Sequence, residues 1–129
     1  MDRGQMLDLV DKFLDAWNSQ DVENVIGCYT EDVIYIDPNT RGQVKGHEAL
    51  RHYLRKLFAA WTMTWVLREA YLFGDGNGCA ALWHATFKKT GGDKVIEADG
   101  MDLVLMRGDR IKRNDVYFDR TLLATLAQF

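Results

Sequence analysis

The sequence predicts an α+β domain, on three observations. The first 60 residues carry apolar side chains at helical spacing, with one strand-like stretch, 33–38, among them. From residue 63 onward the pattern changes to runs of strand-forming residues separated by glycine-bearing turns. Strands that follow one another through short turns pair as an antiparallel meander, so the pattern is a curved sheet wrapped over helices. A chain of 129 residues is long enough for one good core and too short for two, so one domain over 1–129 is expected.

Met6, Val10, Phe13, Leu14 and Trp17 recur at helical spacing, with Asp8, Asp11, Lys12 and Asp15 on other faces. Asn18-Ser19-Gln20 breaks this first helix, and Asp21 fits as the N-cap of a short second one carrying Val22, Val25, Ile26 and Tyr29. Thr30-Glu31-Asp32 turns into the strand Val33–Pro38. There Val33, Tyr35 and Asp37 share one face, Ile34 and Ile36 share the other, and Pro38 ends the ladder for want of an N–H. Asn39 to Gly46 reads as a polar loop. The third helix follows from about His47 to Ala60, with Leu50, Tyr53, Leu54, Leu57 and Phe58 as its stripe. Strands are expected over 63–73, 79–89, 94–107 and 110–118, with Gly108-Asp109 as a tight hairpin and Gly100 as a bulge or bend. Leu122, Leu123 and Leu126 suggest a short C-terminal helix.

A net charge of -3 with scattered Lys and Arg argues against nucleic acid as the main partner. No leader segment and no apolar run long enough to span a membrane is read from the chain. Cys28 and Cys79 lack metal-ligand spacing and read as reduced thiols of a cytoplasmic protein, with a disulfide left open. His47 and His52 do not share a helix face, and Gly74–Gly78 opens a strand rather than a helix, so neither a metal site nor a phosphate loop follows. Arg107-Gly108-Asp109 spells an adhesion tripeptide but reads as a hairpin tip.

Two carboxylates stand out. Asp37 ends an apolar, aromatic strand on the same side as Tyr35, which points to a pocket rather than a solvated rim. Asp102 lies among Met101, Leu103, Val104, Leu105 and Met106, where a carboxylate needs a partner or a proton.

The runs Ala16-Trp17-Asn18-Ser19-Gln20-Asp21, Tyr29-Thr30-Glu31-Asp32-Val33, Gly46-His47-Glu48-Ala49-Leu50 and Gly108-Asp109-Arg110-Ile111 through Asp119 resemble the nuclear transport factor 2-like superfamily in its SnoaL-like, polyketide-cyclase-like branch. The resemblance implies a cone: three N-terminal helices packed on a strongly curved, mostly antiparallel sheet, a short C-terminal helix, and a pocket inside. Within it, Ile36-Asp37-Pro38 is similar to the general-base segment of Δ5-3-ketosteroid isomerase. Asp102 in Gly100-Met101-Asp102-Leu103-Val104 is similar to that enzyme's protonated aspartate, a carboxylic acid kept neutral by an apolar site.

The resemblance implies a cofactor-independent isomerase. Asp37 would take a proton next to the carbonyl of an apolar, steroid- or polyketide-like molecule. Asp102 would hydrogen-bond the enolate oxygen. The family's tyrosine donor falls on Phe13, which has no hydroxyl. His84 is the expected replacement: alternation puts Leu82, His84 and Thr86 on one face, and the alignment makes that face the pocket wall. A SnoaL-like cyclase or dehydratase using His84 with Asp102 is the first alternative, and a non-catalytic ligand-binding dimer module the second. The epoxide-hydrolase set maps onto Val116, His84 and Thr86 and is not kept. Tyr35, Asn114, Val116 and Phe118 are expected to line the cavity, with Trp17 and Phe58 covering it. Arg113, Asp115 and Tyr117 are expected to face outward, where the family forms homodimers through the sheet. No metal or other cofactor is implied.

Overall fold

The computed structural model describes residues 1–123. Helix α1 (Arg3–Ser19) starts at Asp2, which accepts from Gln5 N at 2.8 Å while Gln5 Oε1 accepts from Asp2 N at 3.0 Å, a reciprocal capping box. Its buried face is the expected one: Met6, Val10, Phe13, Leu14 and Trp17. Helix α2 (Val22–Ile26) is capped by Asp21, which accepts from Asn24 N at 3.1 Å. Tyr29, expected on that helix, instead opens strand β1 (Tyr29–Ile36). The expected polar loop contains a two-residue strand, β2 (Val44–Lys45), ahead of α3 (Gly46–Ala60). Gly46 joins the two at φ +84°, a left-handed turn that glycine adopts without strain. Arg51 on α3 pairs with Glu23 on α2 at 2.7 Å.

The four strands β3 (Trp61–Leu72), β4 (Gly78–Lys89), β5 (Val95–Arg107) and β6 (Arg110–Tyr117) form the expected antiparallel meander. β1 lies parallel to β6 and β2 closes that edge, giving the order β2-β1-β6-β5-β4-β3. Register shifts occur between Leu67 and Glu69 on β3, and where Met106 pairs with Ile111 so that Lys112 is extra on β6. Such bulges bend a strand and let a sheet curl. The register of β5 against β4 runs unbroken through Gly100, so no residue slips there and Asp102 stays on the inner face. The Gly108-Asp109 hairpin has Gly108 at φ +64°, as that turn requires.

Asn18, in the last turn of α1, and its C-cap Gln20 clamp the free edge of the sheet. Asn18 Oδ1 accepts from Trp65 N at 2.7 Å and Asn18 Nδ2 donates to Trp65 O at 2.9 Å. Gln20 does the same for Met63 N and Trp61 O, at 2.6 and 2.9 Å. An unpaired strand edge is thereby satisfied, and Trp65 is set against Trp17 with ring centroids 5.4 Å apart. Residues 121–123 begin a helical turn; Leu126, expected on the closing helix, lies outside the described residues. No helix among the described residues is long and apolar enough to cross a membrane.

Candidate active site

Alternation along β1 carries Val33, Tyr35 and Asp37 to the inner face, and all three are buried. The Asp37 carboxylate accepts four hydrogen bonds. Tyr35 Oη donates to Oδ2 at 2.7 Å, and Tyr53 Oη, from α3, donates to the same oxygen at 2.5 Å. The backbone N–H groups of Asn39 and Thr40 donate to Oδ1 at 2.7 and 3.0 Å. Pro38 explains the last two: it stops the strand, and the chain turns back over the preceding side chain as aspartate favours. A carboxylate offers about four lone-pair sites, so this one is filled. Burial, then the neighbouring Asp37 charge, push both tyrosines above the ordinary phenol pKa, so both remain donors.

Asp102 faces inward from β5, opposite Ala81 on β4 and Val116 on β6, and is 4% exposed. Burial pushes its carboxyl up to about 7. The Trp83 indole N–H and the Asn114 amide oppose that rise, and the Asp37 charge adds to it. Near neutral pH this side chain is therefore divided between carboxylic acid and carboxylate. Asn114 is held by a relay: Trp17 Nε1 donates to Tyr29 Oη at 3.3 Å, and Tyr29 Oη donates to Asn114 Oδ1 at 2.8 Å. Asn114 Nδ2 donates to Leu103 O at 3.3 Å.

The cone interior is nearly full. Phe13, Trp17, Tyr35, Trp65, Asn114 and Val116 enclose a cavity of about 20 Å³ at Asp102. A second lobe of about 30 Å³ lies at Asp37, walled by Trp61, Met63, Trp83, Phe87 and Phe118. Each has room for about one or two waters. Tyr35, Trp65 and Val116 line both lobes and separate them. A larger cavity, about 340 Å³, lies between α1, α2 and the β5–β6 hairpin, against Val10, Cys28, Val104, Met106 and Ile111. It has the volume of a small-ligand pocket, but none of the candidate catalytic residues faces it. Phe13 is the partition, lining both this cavity and the Asp102 lobe. Volume and chemistry thus point to opposite sides of one ring. The candidate site is placed with the carboxylates, because proton transfer needs groups whose protonation the surroundings control.

His84 is not part of this site. It projects from the outer face of the sheet, its side chain 40% exposed, with Nδ1 2.8 Å from Asp99 Oδ1 and Nε2 3.2 Å from Glu97 Oε1. The Asp99 and Glu97 carboxylates raise its pKa. Leu82 and Thr86 share that face, and the Thr86 hydroxyl meets the Thr64 hydroxyl there. The inward set on β4 is Cys79, Ala81, Trp83, Ala85 and Phe87. The expectation that Leu82, His84 and Thr86 form the pocket wall is thus overturned, because alternate side chains of a strand point to opposite faces and the other set is the inward one. Phe58 packs edge-on against Trp17, centroids 5.8 Å apart, and lines neither lobe. Tyr117 is exposed on the outer face as expected, whereas Asp115, expected to face outward, is buried and pairs with the exposed Arg113 at 2.8 Å. Both cysteines are free thiols.

Three polar groups of the site went unread in the sequence. By spacing, Tyr29 and Tyr53 read as apolar members of helical stripes, and Trp83 reads as core. The signal for Trp83 was present: Cys79, Ala81, Trp83, Ala85 and Phe87 form the more apolar alternation on their strand. Nothing local marks Tyr53, which reaches Asp37 only because α3 packs on β1.

The model of the SnoaL-like domain matches residues 10–114. No curated protein matches the chain. Among solved structures, a putative isomerase from Bacillus subtilis is similar at 13% identity and a TM-score of 0.86, over 97% of this chain and 94% of that one. TerC, co-crystallised with polyporic acid, is similar at 16% identity and a TM-score of 0.83, over 97% and 99%. A ketosteroid isomerase-like protein from Erwinia carotovora is similar at 18% identity and a TM-score of 0.73, over 89% and 94%.

Proposed function

The chain belongs to the SnoaL-like domain family, and we propose that it is a cofactor-independent enzyme of ketosteroid-isomerase type acting on an apolar carbonyl compound. The observation that carries this reading is the unlike state of two carboxyl groups in one aromatic interior. Asp102 is buried without a strong partner and keeps its proton to about pH 7, while Asp37 is surrounded by four donors. A buried carboxyl that keeps its proton, beside one held by hydrogen-bond donors, suits a division of roles between acid and base.

In the reaction, Asp37 takes the proton next to the carbonyl. The substrate C–H displaces Tyr53, the half-buried one of the two tyrosine donors. The electron pair moves onto the carbonyl oxygen, and Asp102, as the acid, hydrogen-bonds the developing enolate. Asp37 then returns the proton at the far end of the dienolate, so that a double bond migrates and no atom is gained or lost. The indole and phenyl rings of Trp61, Trp83, Phe87 and Phe118 exclude water from the base. A substrate larger than water enters by parting Tyr35, Trp65 and Val116, or by swinging Phe13 so that the Asp102 lobe joins the larger cavity behind it.

Support comes from the family, from the similar fold of proteins named isomerase or isomerase-like, and from TerC, which accepts an organic ligand. A homodimer through the outer face of the sheet belongs to the same reading; Val66, Tyr71, Val95 and Tyr117 are large apolar side chains exposed there. The filled interior favours a second reading, in which the domain binds a small ligand without turning it over.

The test is double-bond migration and solvent-proton exchange on a β,γ-unsaturated ketosteroid, in wild type, Asp37→Asn and Asp102→Asn. Turnover that falls about 10²- to 10⁴-fold in Asp37→Asn supports Asp37 as the base. Binding of the steroid with neither exchange nor migration in wild type selects the second reading.

A further inference from the structure

One buried donor is left over among the described residues. Trp83 is 1% exposed, and its indole Nε1–H completes no hydrogen bond of normal geometry. A buried N–H without a partner is costly, and native structures rarely keep one without a use. The position of this one is closely determined. Gly100 lies directly across on β5, where a Cβ would stand 2.4 Å from Trp83 Cη2, so the indole rests in a recess that only glycine leaves open. Trp65 holds the ring edge-on at 6.5 Å between centroids, and Phe118 lies beside it at 6.1 Å. The recess brings the N–H to the Asp102 carboxyl, near enough to lower that group's pKa. The Asp102 lobe is bounded on α1 by Phe13, a ring with no hydroxyl to offer.

We propose that the Trp83 indole N–H donates a hydrogen bond to the substrate's carbonyl oxygen, acting on the same oxygen as Asp102. This deepens the isomerase reading and rests on it for the reaction, though not for the binding of an oxygen. Two convergent donors make an oxyanion site. Their division of labour is chemical: the indole N–H does not ionise near neutral pH, so it stabilises negative charge without passing on a proton. The ligand class follows as a carbonyl, enolate or phenol oxygen on a flat apolar frame that spans both lobes, since Trp83 lines the Asp37 lobe with Trp61 and Phe118 while Phe13, Trp17 and Trp65 wall the Asp102 lobe beside it.

The test uses 2-naphthol, a flat phenol whose oxygen stands in for the enolate. Indole N–H signals are followed in the ¹⁵N-labelled protein, with the Trp83 signal identified by its loss in Trp83→Phe. The expected results are a downfield move of the Trp83 signal on saturation and at least about a tenfold weaker naphthol affinity in Trp83→Phe, the loss expected of a donor to a charged oxygen. In steroid turnover, Trp83→Phe is expected to lower kcat about 10²- to 10³-fold with KM little changed.

Naphthol binding that leaves the Trp83 signal in place overturns the proposal. So does equal affinity in Trp83→Phe, or no binding up to the solubility limit. Should Trp83→Phe fail to fold, the signal is assigned through its contact with Phe118 and the wild-type shift decides. A moving Trp83 signal without any steroid turnover refutes the isomerase reading and supports the oxygen site, so the two failures are distinguishable.

Discussion

Tyr35 and Tyr53 converge on one oxygen, Asp37 Oδ2, at 2.7 and 2.5 Å, although one tyrosine comes from β1 and the other from α3. The carboxylate therefore ties a helix to the sheet as well as marking the candidate base. Hydrogen bonds to a charged group contribute about 1.5–3 kcal/mol each. Tyr53→Phe is expected to lower the unfolding free energy by that order in urea denaturation. Because both tyrosines share an acceptor, Tyr35→Phe with Tyr53→Phe is expected to cost something other than the sum of the singles. Additive losses in a double-mutant cycle would show the two bonds to be independent.

Asp102 sets a pH dependence whose sign follows from its raised pKa. The folded protein holds the proton to about pH 7, while the unfolded chain releases it near the ordinary value of 3.8. Between those values the native state binds more protons, so the contribution of Asp102 to stability is full below about pH 4. It is lost as pH rises to about 7, at up to about 1.4 kcal/mol per pH unit. Asp102→Asn is expected to abolish this slope and to be more stable relative to wild type at pH 8 than at pH 5. Parallel stability–pH curves for the two proteins would contradict the assignment. Activity that needs the acid form is expected to fall tenfold per unit above about pH 7.

Gly100 is required by its neighbour rather than by its own backbone. A Cβ there would stand 2.4 Å from Trp83 Cη2 and 2.6 Å from Tyr117 O. Gly100→Ala is expected to cost about 1–3 kcal/mol by overpacking and to change the tryptophan fluorescence as Trp83 is displaced. An unchanged spectrum and unfolding midpoint would mean that the recess is not tight.

His84 is expected to be dispensable for chemistry. It stands on the outer face with Asp99 and Glu97, and Arg68 approaches Asp99 at 3.7 Å. His84→Ala is expected to leave steroid turnover and naphthol binding unchanged. Its raised pKa gives a small stabilisation that is complete below the ordinary histidine value and lost as pH rises through the raised one. A collapse of turnover in His84→Ala would place it back in the mechanism.

The sequence by itself determined the elements and one of the two carboxylates' settings. Period-3.6 stripes have one good solution, and α1 buries the five residues that its stripe names. A strand ending in proline has one parity, which sent Val33, Tyr35 and Asp37 inward together. Asp102 was legible as a carboxyl in need of a partner or a proton because its neighbours are apolar, and the unbroken β5 register kept that face inward. The face of β4 was legible too, but only from apolar alternation. The family resemblance made the face of Leu82, His84 and Thr86 the pocket wall, whereas the fold turns Trp83 inward and His84 outward. Only the tertiary structure decided the rest: that Tyr53 reaches Asp37 across two elements, that the Trp83 N–H completes no hydrogen bond of normal geometry among the described residues, and how little room remains inside. These depend on how side chains from several elements meet, and no single stretch of chain carries that information. The volume left in a core is a small difference between the space the backbone encloses and the side chains that fill it.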